Sequence, residues 1–255
     1  MSGFDRIEDC FGKETTKIFA LETGLSSDPA MNWRLSALDR FSLISNSDSH
    51  SPSRIGREAN VFDCDLDYDT IREVLRTKDK KRFLCTIEFF PEEGKYHFDG
   101  HRLCGICFSP SQTKEHNNRC PKCGRPLTIG VMNRVGQLSD RPTGTMPDNA
   151  IPFKNLIPFD EIIADAKKVG KGSLGVEREY RSLVAKFGNE FEILLNAEEE
   201  DLKRAMPERI AAGIMRVRRG QVHISPGFDG EYGKIAIAID EENTARSEQA
   251  QLDLF

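Results

Sequence analysis

Two Cys-x-x-Cys pairs near the middle of the chain constrain its fold more than any other feature. The first pair is Cys104 and Cys107, and the second is Cys120 and Cys123, after a polar loop of twelve residues. Two such pairs on tight turns present four thiolates at tetrahedral angles, which is the ligand set of a structural zinc site. Because four protein ligands leave zinc no open position, this stretch predicts a metal that supports folding without catalysis.

The same stretch allows two alternatives. His101 and His116 are close enough in sequence to compete with the cysteines as ligands. A disulfide is the other use of paired cysteines, but the remaining three cysteines are scattered singly, as in proteins of the reducing cytosol. The first residues also lack the basic and then apolar layout of a signal peptide. We therefore expect reduced cysteines and a cytoplasmic protein.

Composition narrows the class of partner. The chain has 255 residues, of which 38% are hydrophobic and 30% charged, as in an ordinary globular protein with one to three domains. Its apolar runs are shorter than the ~20 residues of a membrane helix, so no membrane partner is expected. The net charge is -5, so contacts with nucleic acid must come from local basic patches.

The first fifty residues predict a parallel strand-helix-strand unit. Buried strands are expected over 17–23 and 41–45, and apolar residues at helical spacing predict a helix over 32–39. Ligands of parallel sheets bind beyond the carboxyl ends of the strands. Glu22 lies at the first of these ends, and the polar segment 46–50 follows the second.

Asp48 and His50 form the second candidate metal site. Alternate residues of an extended segment point the same way, so a carboxylate and an imidazole at this spacing can reach one metal ion. The pattern is short, and a surface turn before Ser51 and Pro52 is the alternative.

Several long segments resemble the endonuclease Q family of DNA repair nucleases, and the resemblance extends to about Ile239. The segments are LETGLSSDPAMNWRLSALDRF, SNSDSHSPSRIGREANVF, IEFFPEEGKYHFDGHRLCGICFSP and RCPKCGRPLTIGV. The resemblance implies an α/β fold: the C-terminal part of a PHP-type (β/α) barrel, then a four-cysteine zinc module and a mainly helical C-terminal domain. The implied segments are 1–90, 91–127 and 128–239, with a tail over 240–255.

The resemblance also implies a function. Asp48 and His50 match the last metal-ligand motif of the PHP barrel, and Glu22 matches the acidic position at the preceding strand end. The family cuts the phosphodiester 5′ of deaminated bases, such as uracil and hypoxanthine, and of abasic sites. Divalent zinc, manganese or magnesium ions would activate water and neutralise the phosphate charge, and the damaged base would be extruded into a pocket.

One family feature is missing. A PHP barrel begins with a His-x-His pair, and none of the five histidines here has that spacing. The chain therefore resembles an N-terminally truncated family member. The alternative to an enzyme is a non-catalytic module, degenerate or split from a nuclease, that binds DNA and recruits a sliding clamp. A helicase-associated role is least favoured, because no Gly-x-x-x-x-Gly-Lys-Ser/Thr loop is present.

The rest of the chain predicts several further elements. They are a helix over 67–77, a strand over 83–90, helices over 128–138, 159–168, 175–187 and 198–219, and a hairpin of 222–224 with 235–239. Near the zinc module, Phe89, Phe90, Tyr96 and Phe98 suit either a core or base stacking.

A group of arginines and the C-terminal tail suggest partners. Arg216, Arg218 and Arg219 are candidate phosphate contacts, although basic residues at a helix end also complement the helix dipole. The acidic segment 240–250 predicts a disordered tether. The final residues Gln251, Leu252, Asp253, Leu254 and Phe255 resemble the motif that docks bacterial repair and replication proteins on the sliding clamp.

Overall fold

The computed structural model describes residues 3–237, and their contacts divide the chain into two units. The described residues of unit 1 are 3–154 and 226–233, and those of unit 2 are 155–225 and 234–237. This grouping differs from the predicted segments, because the cysteine-rich stretch joins the residues before it and takes in a loop from near the end of the chain. Within residues 3–237, every helix is too short or too polar to cross a membrane.

Unit 1 is built from short helices and strands. Its α-helices are α1 (Ile7–Phe11), α2 (Pro29–Asn32), α3 (Tyr68–Thr77), α4 (Pro110–Glu115) and α5 (Val131–Leu138). Its strands are β1 (Ala20–Glu22), β2 (Ser42–Ile44), β3 (Ala59–Phe62), β4 (Phe83–Glu88), β5 (Asp99–His101), β6 (Ile106–Phe108) and β7 (Phe153–Asn155), whose last residue is assigned to unit 2.

The predicted parallel crossover is confirmed. Strands β1 and β2 pair in parallel, with Ala20 opposite Ser42 and Glu22 opposite Ile44. The predicted helix over 32–39 is wrong. The connection holds α2 and a 3-10 turn, because Asp28 caps α2 by accepting from the amide of Met31 at 2.8 Å.

A second sheet has the strand order β3-β4-β7. Strands β3 and β4 run antiparallel, and the register shifts between Val61 and Phe62. Helix α3 was predicted over 67–77 and begins at Tyr68, with Asp67 as its N-cap: the Asp67 carboxylate accepts from the amide of Thr70 at 2.9 Å. Behind this sheet Val74, Phe83 and Ile151 form a buried cluster.

The cysteine-rich stretch forms a hairpin followed by two helices. Strands β5 and β6 pair antiparallel, with Gly100 opposite Cys107. Helix α5 begins at Val131, three residues later than predicted, because the buried carboxylate of Asp99 accepts from the amide of Gly130 at 2.6 Å and from the Asn133 side chain at 2.7 Å. This carboxylate ties the hairpin to the start of the helix.

Unit 2 contains helices and one hairpin. They are α6 (Phe159–Lys167), α7 (Leu174–Phe187), a π-helical turn (Glu192–Asn196), α8 (Glu199–Ala205), α9 (Glu208–Arg218), β8 (Val222–Ser225) and β9 (Lys234–Ile237). The hairpin is confirmed, with Val222 opposite Ile237. The single predicted helix over 198–219 is wrong: it divides into α8 and α9 before Pro207, which has no amide hydrogen to continue a helix.

Candidate metal centre and strand-end carboxylates

One group of side chains in unit 1 has the arrangement of a metal site. A ligand atom from each of His101, Cys104, Cys120 and Cys123 lies within 4.8 Å of those of the other three. It is the one group of three or more such donors brought together within residues 3–237. Three thiolates and one imidazole suit a tetrahedral structural metal ion, and zinc in particular. The donor set therefore fits a structural metal centre.

Two turns of the same form supply these ligands. His101 and Cys104 precede Gly105, and Cys120 and Cys123 precede Gly124. The two glycines have φ angles of 62° and 71°, in the left-handed region that glycine tolerates best. In the second turn the amide of Gly124 donates to the carbonyl oxygen of Cys120 at 2.8 Å. Each turn thus places its two ligands three positions apart on one side of the loop.

A side chain links the two turns directly. The Nζ atom of Lys122 donates to the carbonyl oxygen of Cys104 at 2.8 Å. Around the second turn, the amide of Cys120 donates to the carbonyl oxygen of Arg125 at 2.8 Å. These hydrogen bonds hold the first turn close to the second without any contribution from a metal ion.

Hydrogen bonds distribute the charge among the thiols. Burial opposes ionisation of Cys120, but the amides of Cys123 and Lys122 point at its sulfur and lower the pKa to about 6. Burial raises the pKa of Cys104 to about 11, and hydrogen bonds with the neighbouring thiols add to the shift. Backbone amides directed at a ligand sulfur favour the thiolate, which is the metal-binding form.

Cys107, the fourth cysteine of the predicted ligand set, lies outside this group, and His101 takes its place there. On β6 Cys107 pairs with Gly100, and its sulfur is 4.0 Å from the carbonyl oxygen of Pro226. Burial, with a smaller effect from the Asp99 carboxylate, raises its pKa to about 11. His116 also lies outside the group, and its Nδ1 atom is 2.9 Å from the carbonyl oxygen of Gln112.

The sequence contains a signal for the donor group that the structure brings together. In the second turn the glycine directly follows the second ligand, as Cys120-x-x-Cys123-Gly124. The matching pattern in the first turn is His101-x-x-Cys104-Gly105, which makes Cys104 the second ligand and not the first. Aligning the glycines, instead of the cysteine pairs, selects the histidine.

A loop from near the end of the described chain completes this module. Asp229 accepts from the amide of Arg102 at 2.7 Å and from the hydroxyl of Thr128. The ring of Phe228 lies where a Cβ atom on Gly100 would be, so that position requires glycine. The sequence predicted only the hairpin of 222–224 with 235–239, so the contacts between its connecting loop 226–233 and the metal module were not foreseen.

The second predicted metal site, at Asp48 and His50, is more exposed to solvent than the cysteine-containing group. The Nε2 atom of His50 is 3.9 Å from Oδ2 of Asp48, and the two side chains are 92% and 85% exposed. Asp48 has a φ of 44°, so the predicted extended segment is wrong at this residue. The side chains nevertheless approach each other on the loop after β2.

Buried carboxylates lie at the neighbouring strand ends. Glu88 ends β4 and accepts a 3.0 Å hydrogen bond from the hydroxyl of Thr23, just beyond β1. Glu58 precedes β3 and is 3% exposed, and its Oε2 atom has no hydrogen-bond partner within residues 3–237. Burial raises the pKa of Glu58 to about 7, with smaller contributions from Glu88 and Glu22. Sequence reasoning found Glu22, which is exposed, and missed the two buried glutamates.

These strand ends do not form a complete metal site from the described residues. Glu22, Asp48 and His50 do not bring three donor atoms within 4.8 Å of one another. A catalytic zinc ion takes three protein ligands, whereas magnesium is held by one or two carboxylates together with substrate phosphates. Asp48, His50 and Glu22 therefore do not complete a catalytic zinc site by themselves.

The three candidate phosphate-binding arginines differ in their surroundings. The guanidinium group of Arg218 donates to the carbonyl oxygens of Ile193 at 2.8 Å, Leu194 at 2.9 Å and Ala197 at 2.7 Å. Arg219 pairs with Glu199 at 2.9 Å. Arg216 is half-buried in the last turn of α9.

The predicted clamp-binding residues Gln251, Leu252, Asp253, Leu254 and Phe255, and the predicted tether before them, lie outside the described residues.

Comparisons with known proteins find relatives of this chain both by sequence and by structure. Residues 158–221 match the family model described as the MJ0043 C-terminal domain. The chain is 34% identical over 254 residues to the uncharacterized protein MJ0043 of Methanocaldococcus jannaschii, covering 96% of the chain and 31% of that protein. It is 31% identical over 224 residues to the uncharacterized protein YqxK of Bacillus subtilis, covering 87% of the chain and 54% of that protein.

Two solved structures are similar over almost the whole chain. One is the lesion-specific endonuclease PfuEndoQ from Pyrococcus furiosus, with a TM-score of 0.82 and 30% identity over 95% of this chain and 62% of that one. The other is endonuclease Q in complex with a 27-mer duplex substrate with an abasic lesion at the active site. Its TM-score is 0.78, with 30% identity over 94% of this chain and 60% of that one. The resemblance to endonuclease Q is confirmed, and the chain spans less than two thirds of each of these relatives.

Proposed function

We propose that this chain acts in DNA repair as the lesion-recognising part of a DNA endonuclease. The supporting observation is its similarity to PfuEndoQ over 95% of the chain, at a TM-score of 0.82 and 30% identity. A second similar structure holds a duplex substrate with an abasic lesion. The lesions proposed for this chain are uracil, hypoxanthine and abasic sites, with hydrolysis of the phosphodiester on the 5′ side.

Asp48 and His50 are the proposed catalytic metal ligands of this chain, with Glu22 as the acidic group at the preceding strand end. Their exposure leaves them accessible to a phosphate group of bound DNA. A divalent ion bound there would supply an activated water molecule and charge neutralisation. Because the described residues offer an incomplete ligand set, incision depends on additional donors.

The proposed structural metal is zinc, held by His101, Cys104, Cys120 and Cys123. Its role is to fix the two glycine-containing turns, since the isolated stretch buries too little apolar surface to fold well. The metal would then stabilise the segment on which loop 226–233 packs.

A second candidate function is a non-catalytic DNA-binding and clamp-recruitment module. The incomplete donor set at Asp48 and His50 favours it. In this role, residues 251–255 would dock on a bacterial sliding clamp through Leu254 and Phe255, with Gln251 as a polar contact. The two candidates share lesion recognition and differ in whether the chain contributes to cutting.

The discriminating experiment measures incision and DNA retention in the same tubes. The substrate is a 5′-labelled duplex with one deoxyuridine, incubated with the purified chain and manganese or magnesium ions. Incision directly 5′ of the lesion that Asp48→Ala abolishes, and that the exposed control Asp65→Ala retains, supports the nuclease. Retention of the duplex without incision supports the binding module. Neither incision nor lesion-dependent retention would contradict both.

A further inference from the structure

Four exposed side chains of unit 1 form a surface that the metal centre and the strand ends do not use. They are Lys95, Tyr96, Arg102 and Tyr232, and we call them the stacking surface. The ring-bearing side chains of Tyr96 and Tyr232 are 52% and 71% exposed. Such exposure contrasts with the neighbouring Phe90, which is 8% exposed and belongs to the core.

Loop 226–233 brings these four residues to one place. The amide of Gly230 donates to the carbonyl oxygen of Lys95 at 2.9 Å. The Nζ atom of Lys95 lies 4.5 Å from the centre of the Tyr232 ring, which is a cation–π contact. The Tyr232 ring therefore lies on loop 226–233, and Lys95 and Tyr96 lie on the segment to which this loop is hydrogen-bonded.

The side chains of Tyr96 and Arg102 both lie close to Gly230. The position that a Cβ atom would take on Gly230 is 3.6 Å from the hydroxyl oxygen of Tyr96 and 3.5 Å from Nη1 of Arg102. The amide of Arg102 is held in turn by Asp229 at 2.7 Å. Both side chains thus reach the same turn, and the backbone beneath them is fixed by hydrogen bonds.

The local charge favours an anionic partner. The stretch 91–128 contains six Lys or Arg residues and four acidic ones, of which Asp99 is buried and Glu92 and Glu93 are half-buried, although the whole chain has a net charge of -5. Glu231 is the acidic residue on loop 226–233 that remains exposed beside this surface. Basic charge concentrated in one module of an acidic protein is the electrostatic pattern of a nucleic-acid contact.

We propose that the stacking surface binds an unpaired DNA strand, with the rings of Tyr96 and Tyr232 stacking on bases and Lys95 and Arg102 contacting phosphates. Aromatic rings stack on any base whose face is free, and cations beside them follow the backbone. Bases inside an intact duplex offer no free face, so the site selects the unpaired strand that base extrusion or a lesion exposes. This inference rests on the proposed DNA-repair function.

The test compares DNA affinities by fluorescence anisotropy. The probes are a labelled single-stranded oligodeoxynucleotide and a duplex with one abasic site. Replacing both rings, as Tyr96→Leu with Tyr232→Leu, is expected to weaken single-strand binding by about tenfold or more, since each stacked base contributes about fivefold or more. The matched Tyr-to-Phe double variant keeps the rings and is expected to bind like the unchanged chain. Tyr68→Leu, at a tyrosine of α3 that is 79% exposed, controls for loss of a surface tyrosine.

The charges are tested separately. Replacing Lys95 by Gln is expected to reduce the slope of log affinity against log salt by about one unit or less, as one phosphate contact is lost. Metal content and the circular dichroism spectrum of each variant are measured in parallel, because the surface adjoins the metal module. A loss of single-strand binding with both unchanged supports the proposal.

Three results overturn it. If the Leu double variant binds single strands as well as the unchanged chain while lesion-dependent duplex binding persists, only the stacking inference fails. If the Phe double variant loses as much affinity as the Leu double variant, stacking is again excluded as the source of binding. If the unchanged chain binds neither probe, the stacking inference and the proposed DNA-repair function fail together.

Discussion

The Nδ1 atom of His101 lies 3.6 Å from the Sγ atom of Cys123. One atom belongs to the end of β5 and the other to the turn that follows α4. This contact joins the two glycine-containing turns, and it places a histidine, in place of Cys107, in the donor group of the candidate metal centre.

The ligand set can be tested by metal content. His101→Ala is expected to weaken metal binding by about 100-fold, since a tetrahedral site loses one of four ligands. His101→Cys should retain one equivalent, because a thiolate suits the same metal. Cys107→Ser should also retain it, because its sulfur faces Pro226. Elemental analysis after gel filtration in a weak chelator measures each variant; metal lost from Cys107→Ser and kept by His101→Ala would refute the set of three cysteines and one histidine.

The left-handed glycines give a second prediction. Gly105→Ala should lower the free energy of unfolding by about 1 kcal/mol, because a Cβ atom disfavours a φ of 62° even though no atom crowds it. Gly136→Ala should instead raise stability by about 0.5–1 kcal/mol, since Gly136 lies inside α5 and the added methyl group meets only Pro110, at 4.0 Å. Thermal unfolding of the metal-bound forms checks both signs. Equal destabilisation by both changes would contradict this explanation.

Local patterns in the sequence predicted much of the fold. Strands β1 and β2, the N-cap of α3 at Asp67 and the final hairpin each follow from apolar alternation, a capping residue or a turn within a few positions. The cysteine spacing likewise located the metal centre, because knuckle turns are local structures.

Long-range contacts and competition between local signals explain what the sequence did not reveal. The bond between Asp229 and Arg102 spans 127 residues, and no local pattern announces it. The approach of Glu58 and Glu88 depends on how β3 pairs with β4, so neither glutamate was distinctive in the sequence. His101 was only an alternative ligand in the sequence, because two complete Cys-x-x-Cys pairs already supplied four donors and the position of Gly105 relative to Cys104 was not considered.

Arg218 and Arg219 should respond differently to replacement. Arg218→Ala leaves three carbonyl oxygens of the 193–197 segment without their donor, so it should destabilise the protein by about 2–3 kcal/mol. Arg219→Ala removes an exposed ion pair with Glu199 and should cost about 0.5 kcal/mol or less. Denaturant unfolding monitored by circular dichroism tests the difference. Comparable, small losses for both variants would show that Arg218 does not hold that segment.

The Arg219→Ala variant also tests DNA binding independently of stability. If Arg219 contacts a phosphate, Arg219→Ala should reduce the salt slope of DNA binding by about one unit without changing stability. An unchanged slope would remove Arg219 from the DNA contacts.

Glu58 predicts a specific pH dependence of stability. Its pKa of about 7 in the folded protein exceeds the ordinary value of 4.5, chiefly because of burial. The folded state therefore binds more protons than the unfolded state between those values, and the free energy of unfolding falls as pH rises through that window. The Glu58→Gln side chain does not ionise, so the variant does not lose this stability. Its free energy of unfolding minus that of the unchanged chain should therefore rise by about 1–3 kcal/mol between about pH 5 and about pH 8.

A matched variant isolates this effect. Glu115→Gln, at an exposed glutamate of α4, should change stability by a similar small amount at both pH values. Melting temperatures across the range provide the measurement. A stability difference between Glu58→Gln and the unchanged chain that is flat with pH would mean that this carboxyl group ionises at its ordinary pKa.

Lesion recognition is the central claim, and competition binding tests it most directly. The purified 255-residue chain is titrated into a labelled duplex with one abasic site, with an unlabelled undamaged duplex of the same sequence as competitor at fixed salt. We expect the lesion duplex to be bound at least about tenfold more tightly, because unstacking costs less where a base is missing. Equal affinity for the two duplexes, or no binding of either, would contradict it.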